Sequence, residues 1–159
     1  MTRSGPSPRT PFTIPLAKGP VAPWADRAVA LLFVVITIVC LVGLWRTDPS
    51  TKGYDTHVQF GMQPCSWPRL YGVPCPTCGC TTAACLVVHG KWILGFVTQP
   101  FGAAVAIVGF LLGLHGLYCL LFRRSFADLL VRVKFAPILF GGLLLMLAAW
   151  YYKYLVFQP

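Results

Sequence analysis

Three stretches of this chain run without a formal charge for long enough to cross a bilayer. Ala28 to Trp45 spans 18 residues and Gly102 to Phe122 spans 21. A third runs from about Phe135 to Tyr152. A hydrocarbon core needs about 20 apolar residues as helix, with a lower limit near 17. The first stretch follows Asp26 and Arg27 and closes at Trp45 and Arg46; the second follows Pro100 and stops at Arg123 and Arg124. No small-residue cleavage site follows the first stretch, so it reads as a retained anchor. Ser125 and Asp128 resemble a capping box for a short amphipathic lead into the third span. Pro137, near the start of that span, is expected to kink it.

A fourth apolar stretch, Thr81 to Val97, is broken in its middle by His89, Gly90 and Lys91. Neither half is long enough to cross, and irregular backbone cannot face lipid. It reads as a short interfacial or re-entrant helix pair packed on the other helices. The pattern therefore predicts an all-α integral membrane protein with three transmembrane helices, over 28–45, 102–122 and 135–152. The Cys-rich loop is 46–101, within a single membrane domain of residues 24–159. Residues 1–23 hold six prolines and read as an extended tail, free or laid along a partner.

Charge orients this arrangement. Arg3, Arg9, Lys18 and Arg27 precede the first span, and Arg123, Arg124, Arg132 and Lys134 fill the 12 residues between the second and third. Basic residues gather in short cytoplasmic segments. Three spans put both groups inside; a fourth would put Arg123 and Arg124 outside. The expected location is a bacterial inner (cytoplasmic) membrane, with the N-terminus cytoplasmic and the Cys loop outside. Trp45, Trp150, Tyr151, Tyr152 and Tyr154 then form an outer aromatic belt, and Trp24 marks the inner face. The net charge of +9 is spread between apolar runs rather than along one stripe, which argues against nucleic acid as a partner.

Composition narrows the chemistry. With 57% hydrophobic and 11% charged residues, neither an ordinary soluble domain nor a disordered chain fits. There is no Glu, and Asp occurs only at 26, 48, 55 and 128. Paired-carboxylate hydrolysis and two-metal chemistry lose their residues. Sulfur chemistry remains. Cys65, Cys75, Cys78, Cys80 and Cys85 fall within 21 residues.

Three uses of these thiols compete. Disulfides among Cys65, Cys75, Cys78 and Cys80 would staple a loop too short for its own core. Alternatively, Cys75 and Cys78 are half of a tetrahedral thiolate site for zinc or another thiophilic metal, with Cys65 third and Cys80, His57 or His89 fourth. The third use is thiol–disulfide exchange at Cys75 and Cys78, activated by the start of a helix near Thr81, itself a reasonable N-cap.

The segment also resembles a family of small bacterial membrane proteins of unknown function, marked by a C-P-x-C-G-x-T-R-A run with another Cys upstream. Cys75, Pro76, Cys78, Gly79, Thr81 and Ala83 match the run, Cys65 matches the upstream Cys, and Gly90 and Pro100 resemble later positions. The likeness covers roughly residues 64–120. Two positions depart from it. Thr82 stands where the family has Arg, and Cys80 where it has Leu or Met.

Inside the second span, His115 and Cys119 share a face one turn apart. An ionisable residue at such depth marks a candidate site, and the bland alternative is a neutral His bonded across a helix interface. Gly109, Gly113 and Gly116 form a small-residue face suited to close helix packing, as do Gly141 and Gly142 in the third span. The expected function is a non-enzymatic accessory or scaffold subunit working with other membrane proteins, its Cys loop stabilised by disulfides or metal. The alternatives are a membrane thiol–disulfide oxidoreductase using Cys75 and Cys78, and an outer-face metal-binding protein.

Overall fold

A computed structural model describes residues 23–127, 129 and 133–157. The Pro-rich tail and Asp128 lie outside them. Among the described residues the fold is all-helical: α1 (Pro23–Trp45), a 3-10 turn (Thr56–Phe60), α2 (Ser66–Tyr71), α3 (Cys80–Val88), α4 (Trp92–Thr98), α5 (Pro100–Leu121) and α6 (Phe135–Val156). Three of these, α1, α5 and α6, are long and apolar enough to cross a membrane. The broken stretch forms the short pair α3 and α4.

Two of the spanning helices overrun the expected bounds at one end. α1 starts five residues before Ala28, and α6 continues to Val156. Pro100 opens α5, where its missing N–H costs nothing. Pro137 is the third residue of α6. Its N–H would have had no partner within the first turn, so the position gives no cause for the expected kink.

α1 and α5 form the most extensive helix contact, built on small residues. Gly113 lies against Thr37, and Gly116 against the Ala30 carbonyl and Val34. Gly109 has open space beside it, although its carbonyl accepts a 3.4 Å bond from Thr37 Oγ1. The small-residue face thus packs within the chain at two of its three positions. Gly141 and Gly142 of α6 meet nothing.

Each end of the bundle has its own lock. At the end where α1 begins, the Asp26 carboxylate accepts bonds from Ser125 Oγ (3.2 Å), Phe126 N–H (3.1 Å) and Ala127 N–H (2.7 Å). Ser125 thus donates its hydroxyl to α1, while Asp128, the other half of the expected capping box, lies outside the described residues. Fully buried Phe126 packs with Ala30, Cys119 and Phe33. His115 adds its ring 5.5 Å from that of Phe126 and its Nε2 3.5 Å from Cys119 Sγ.

At the opposite end, the Cys loop sits over the C-terminus of α1, the N-terminus of α5 and the C-terminus of α6. Buried Cys85 places its thiol 3.0 Å from the Thr47 carbonyl, satisfying backbone just beyond α1. Two of the expected belt aromatics turn inward. Trp150 Nε1 donates to the Pro74 carbonyl (2.9 Å), and the Tyr152 hydroxyl to that of Val97 (2.9 Å). Tyr151 and Tyr154 remain exposed.

Candidate metal centre

Three thiols converge at this end. The Sγ atoms of Cys65, Cys75 and Cys78 all lie within 4.8 Å of one another, and those of Cys65 and Cys75 are 3.6 Å apart. Ligands of a tetrahedral zinc–thiolate centre, with bonds of about 2.3 Å, sit roughly 3.8 Å apart. The trio fits that spacing with small side-chain adjustments.

Local backbone explains the convergence. Cys65 is the N-cap of α2, and its N–H donates to Asp55 Oδ1 (3.1 Å), which fixes where the chain enters that helix. Pro74 and Pro76 stiffen the chain on either side of Cys75. Two successive turns follow, Cys78 N–H to the Cys75 carbonyl and Cys80 N–H to the Thr77 carbonyl, both 3.0 Å. They fold Cys75 and Cys78 to one side. Gly79 then takes φ 90°, a conformation that suits glycine, and serves as N-cap of α3. The helix starts at Cys80, so the expected N-cap, Thr81, lies inside its first turn.

A cavity of about 340 Å³ opens on the trio and is also lined by Asp55, His57, Met62 and Cys80. Among the fourth-ligand candidates, His57 and Cys80 reach this cavity. His57 Nε2 is 3.1 Å from the Gln63 carbonyl and must donate to it, leaving the Nδ1 lone pair free. Cys80 stands in the wall between the cavity and an apolar groove of about 720 Å³ along α1 and α5. His89 is absent from the cavity lining: its ring stacks on Trp45 (5.3 Å, 3°), and its Nδ1 donates to the Cys85 carbonyl (2.8 Å). His115 and Cys119 belong to the packing around Phe126 at the other end.

Thr82, in the position where the resembled family has Arg, is buried and pairs with the Thr56 hydroxyl (2.8 Å). That position here ties α3 to the 3-10 turn. Two participants carried no sequence signal for the site. Gln99, fully buried, donates through Nε2 to the Pro76 carbonyl (3.3 Å), while its Oε1 has no partner among the described residues. Lys153, only 7% exposed, donates to the carbonyls of Gly53 (3.2 Å) and Thr98 (3.3 Å). Lys153 is the one basic residue that the two basic clusters and the Cys loop leave over. That remainder was its only trace in the sequence.

Electrostatics favours neutral thiols at rest. Burial pushes Cys78 up to about 12, with the Cys75 and Cys65 thiols adding to the rise and Lys153 opposing it. Burial likewise raises Cys65 and Cys80. Near neutral pH this favours the protonated thiol at Cys78, a poor attacking nucleophile. At Cys78 burial thus opposes the activation expected from the start of the helix. A metal ion would reverse the balance, because coordination deprotonates a thiol outright.

The sign of this shift yields a prediction for the metal-free protein. Cys78 holds its proton more tightly folded than unfolded. Its contribution is complete below about pH 9, the ordinary thiol value, and is lost as pH rises through about 12. The melting temperature of the metal-free chain should therefore fall more steeply between pH 9 and 11 than that of Cys78→Ser. Equal slopes would remove Cys78 as the cause.

Fold and site together define an all-helical protein of membrane-crossing design with a convergent three-thiol cluster at one end. Residues 65–114 match the family model described as "Protein of unknown function (DUF2752)". The sequence resemblance pointed to an uncharacterised family over this segment, and one matches there. The matched part runs from Cys65 through α3 and α4 into α5. Neither a curated protein nor a solved structure matches the chain.

Proposed function

We propose that this is a non-enzymatic membrane protein whose Cys loop holds one thiophilic metal ion on Cys65, Cys75 and Cys78. In this reading it serves as a small accessory subunit of a bacterial inner-membrane complex, with the loop on the outer face. The observation that carries the metal reading is the convergence of three sulfurs from two separated segments of the loop. His57 and Cys80 in the same cavity are the candidates for a fourth ligand. α6 presents Ile138, Leu139 and Phe140 at 58–71% exposure beside the open Gly141 and Gly142, a surface that lipid or a partner helix would cover.

The full chain purified in detergent should contain about one zinc, copper or iron per molecule by elemental analysis. Cys75→Ser should lose it, and Cys40→Ser, away from the cluster, should keep it. A native chain that arrives without metal and takes up none on titration would sink the metal reading. A monodisperse monomer with no co-purifying partner would sink the subunit role.

The 3.6 Å approach of Cys65 and Cys75 supports a second reading. Two-electron oxidation of this pair by an external disulfide or other thiol oxidant, with loss of both thiol protons, would close a short loop and stabilise it by about 2–4 kcal/mol. It would also consume two of the three ligands, so metal and disulfide exclude each other. Counting free thiols with and without reductant separates the two. The thiol-exchange alternative through Cys75 and Cys78 requires that count to change with added oxidant.

A further inference from the structure

Lys153 is a buried cation that the fold does not explain. It sits near the end of α6, and its ammonium bonds two backbone carbonyls, which are dipoles rather than charges. Among the described residues no carboxylate lies within ion-pair distance of it. Burying an ammonium without a counter-charge is costly, and proteins seldom keep such a group without an anion to meet it.

The surroundings show where that anion would arise. A Cβ built on Gly79, the residue after Cys78, would stand 3.6 Å from Lys153 Nζ. The ammonium thus lies directly behind the turn that carries the third thiol. A divalent metal on three thiolates has a net charge of −1. Asp55, on the same cavity wall, makes the neighbourhood more negative still. His57 adds positive charge only if protonated, and a ligating His is neutral.

We infer that Lys153 is the charge-compensating residue of the Cys65–Cys75–Cys78 centre, positioned by the Gly53 and Thr98 carbonyls to face the anionic metal–thiolate cluster. This rests on the metal reading above and extends it to a residue outside the loop. The loaded site and the buried ammonium then neutralise each other, and neither is comfortable without the other. The last turn of α6 then delivers a cation to the loop.

The test uses the full chain in detergent, with zinc as the probe. Zinc affinity is measured by chelator competition, and melting temperature with and without zinc. Lys153→Met and Lys153→Gln should each weaken zinc binding at least tenfold and shrink the zinc-dependent rise in melting temperature. Lys153→Arg, which keeps the charge, should stay within about threefold of the native chain. Lys153→Gln keeps a hydrogen-bond donor, so it reports on charge even if Lys153→Met does not fold. Native-like zinc affinity in Lys153→Gln would overturn the inference. So would an equal loss of melting temperature with and without zinc, the mark of a mere tether. If the native chain itself takes up no zinc, the metal reading falls and this inference with it. If the native chain binds and the neutral variants bind equally well, only the role of Lys153 falls.

Discussion

Replacing Gly79 by alanine should abolish metal uptake and cost the loop its structure. Two separate penalties coincide there. At φ 90° an L-residue is strained, by about 1–2 kcal/mol in the left-handed region. The added Cβ would also stand 2.6 Å from the Gly53 carbonyl oxygen, with Lys153 Nζ at 3.6 Å and Gln99 Cβ at 3.7 Å. A backbone oxygen cannot swing aside like a side-chain tip. The turn carrying Cys78 must move off the 50s segment, and the bond from Lys153 to Gly53 must break or lengthen.

Gly72 supplies the control. It has φ 67° and nothing within 4 Å, so Gly72→Ala pays for the strain alone. Gly72→Ala should melt a few degrees lower and still bind zinc, whereas Gly79→Ala should lose both the melting transition and the metal. The comparison is made by thermal unfolding in detergent and by zinc titration. If the two variants behave alike, the close approach of Gly79 to Gly53 is not what holds the site.

The parts of this structure that were legible in the sequence are those set by local pattern. Charge-free runs fix three long helices, because a span needs length and apolarity and little else. His89, Gly90 and Lys91 divide the fourth apolar stretch, and the structure divides it there: the N–H groups of Gly90 and Lys91 close α3 onto Val87 and Leu86. Cys65, Cys75 and Cys78 were recognisable as a group because two proximal turns and one N-cap bring them together.

Long-range contacts hid the rest. Lys153 lies beside three tyrosines and a tryptophan and reads as part of an aromatic belt. Its role depends on carbonyls 55 and 100 residues away. Thr82 gained its partner Thr56 across 26 residues. His89 misled for the opposite reason: it is close to the cysteines in sequence, but the helix turns its ring onto Trp45. α1 and α6 extend beyond their charge-free runs because helical hydrogen bonding need not stop where the apolar run does.

Gly113→Ala should part α1 from α5 and lower stability more than any other substitution on the small-residue face. Its Cβ would fall 2.6 Å from both Cβ and Cγ2 of Thr37 and closer still to Oγ1. Thr37 is β-branched and stiff at χ1 in a helix, so the backbones themselves must separate. Overpacking of this kind costs about 1–3 kcal/mol, against which alanine recovers at most about 1 kcal/mol of helix propensity. At Gly109 the space is empty, and only the propensity gain remains. The two substitutions, one turn apart on the same face, should therefore have opposite signs: Gly113→Ala melts lower than the native chain, and Gly109→Ala melts level with it or higher. Adding Thr37→Ala to Gly113→Ala should restore part of the loss, since Cγ2 and Oγ1 leave while Cβ stays. Thermal unfolding of the four chains in one detergent checks the order. Equal destabilisation at both glycines would mean that loss of glycine flexibility, rather than the Thr37 contact, is what matters. The effect should also reach the thiols, because α3 rests so closely on α5 that a Cβ built on Gly102 would stand 2.9 Å from the Cys80 carbonyl oxygen. A bundle forced open at Gly113 tilts the platform from which Cys78 and its neighbours are held, so weakened zinc binding should accompany the lower melting temperature.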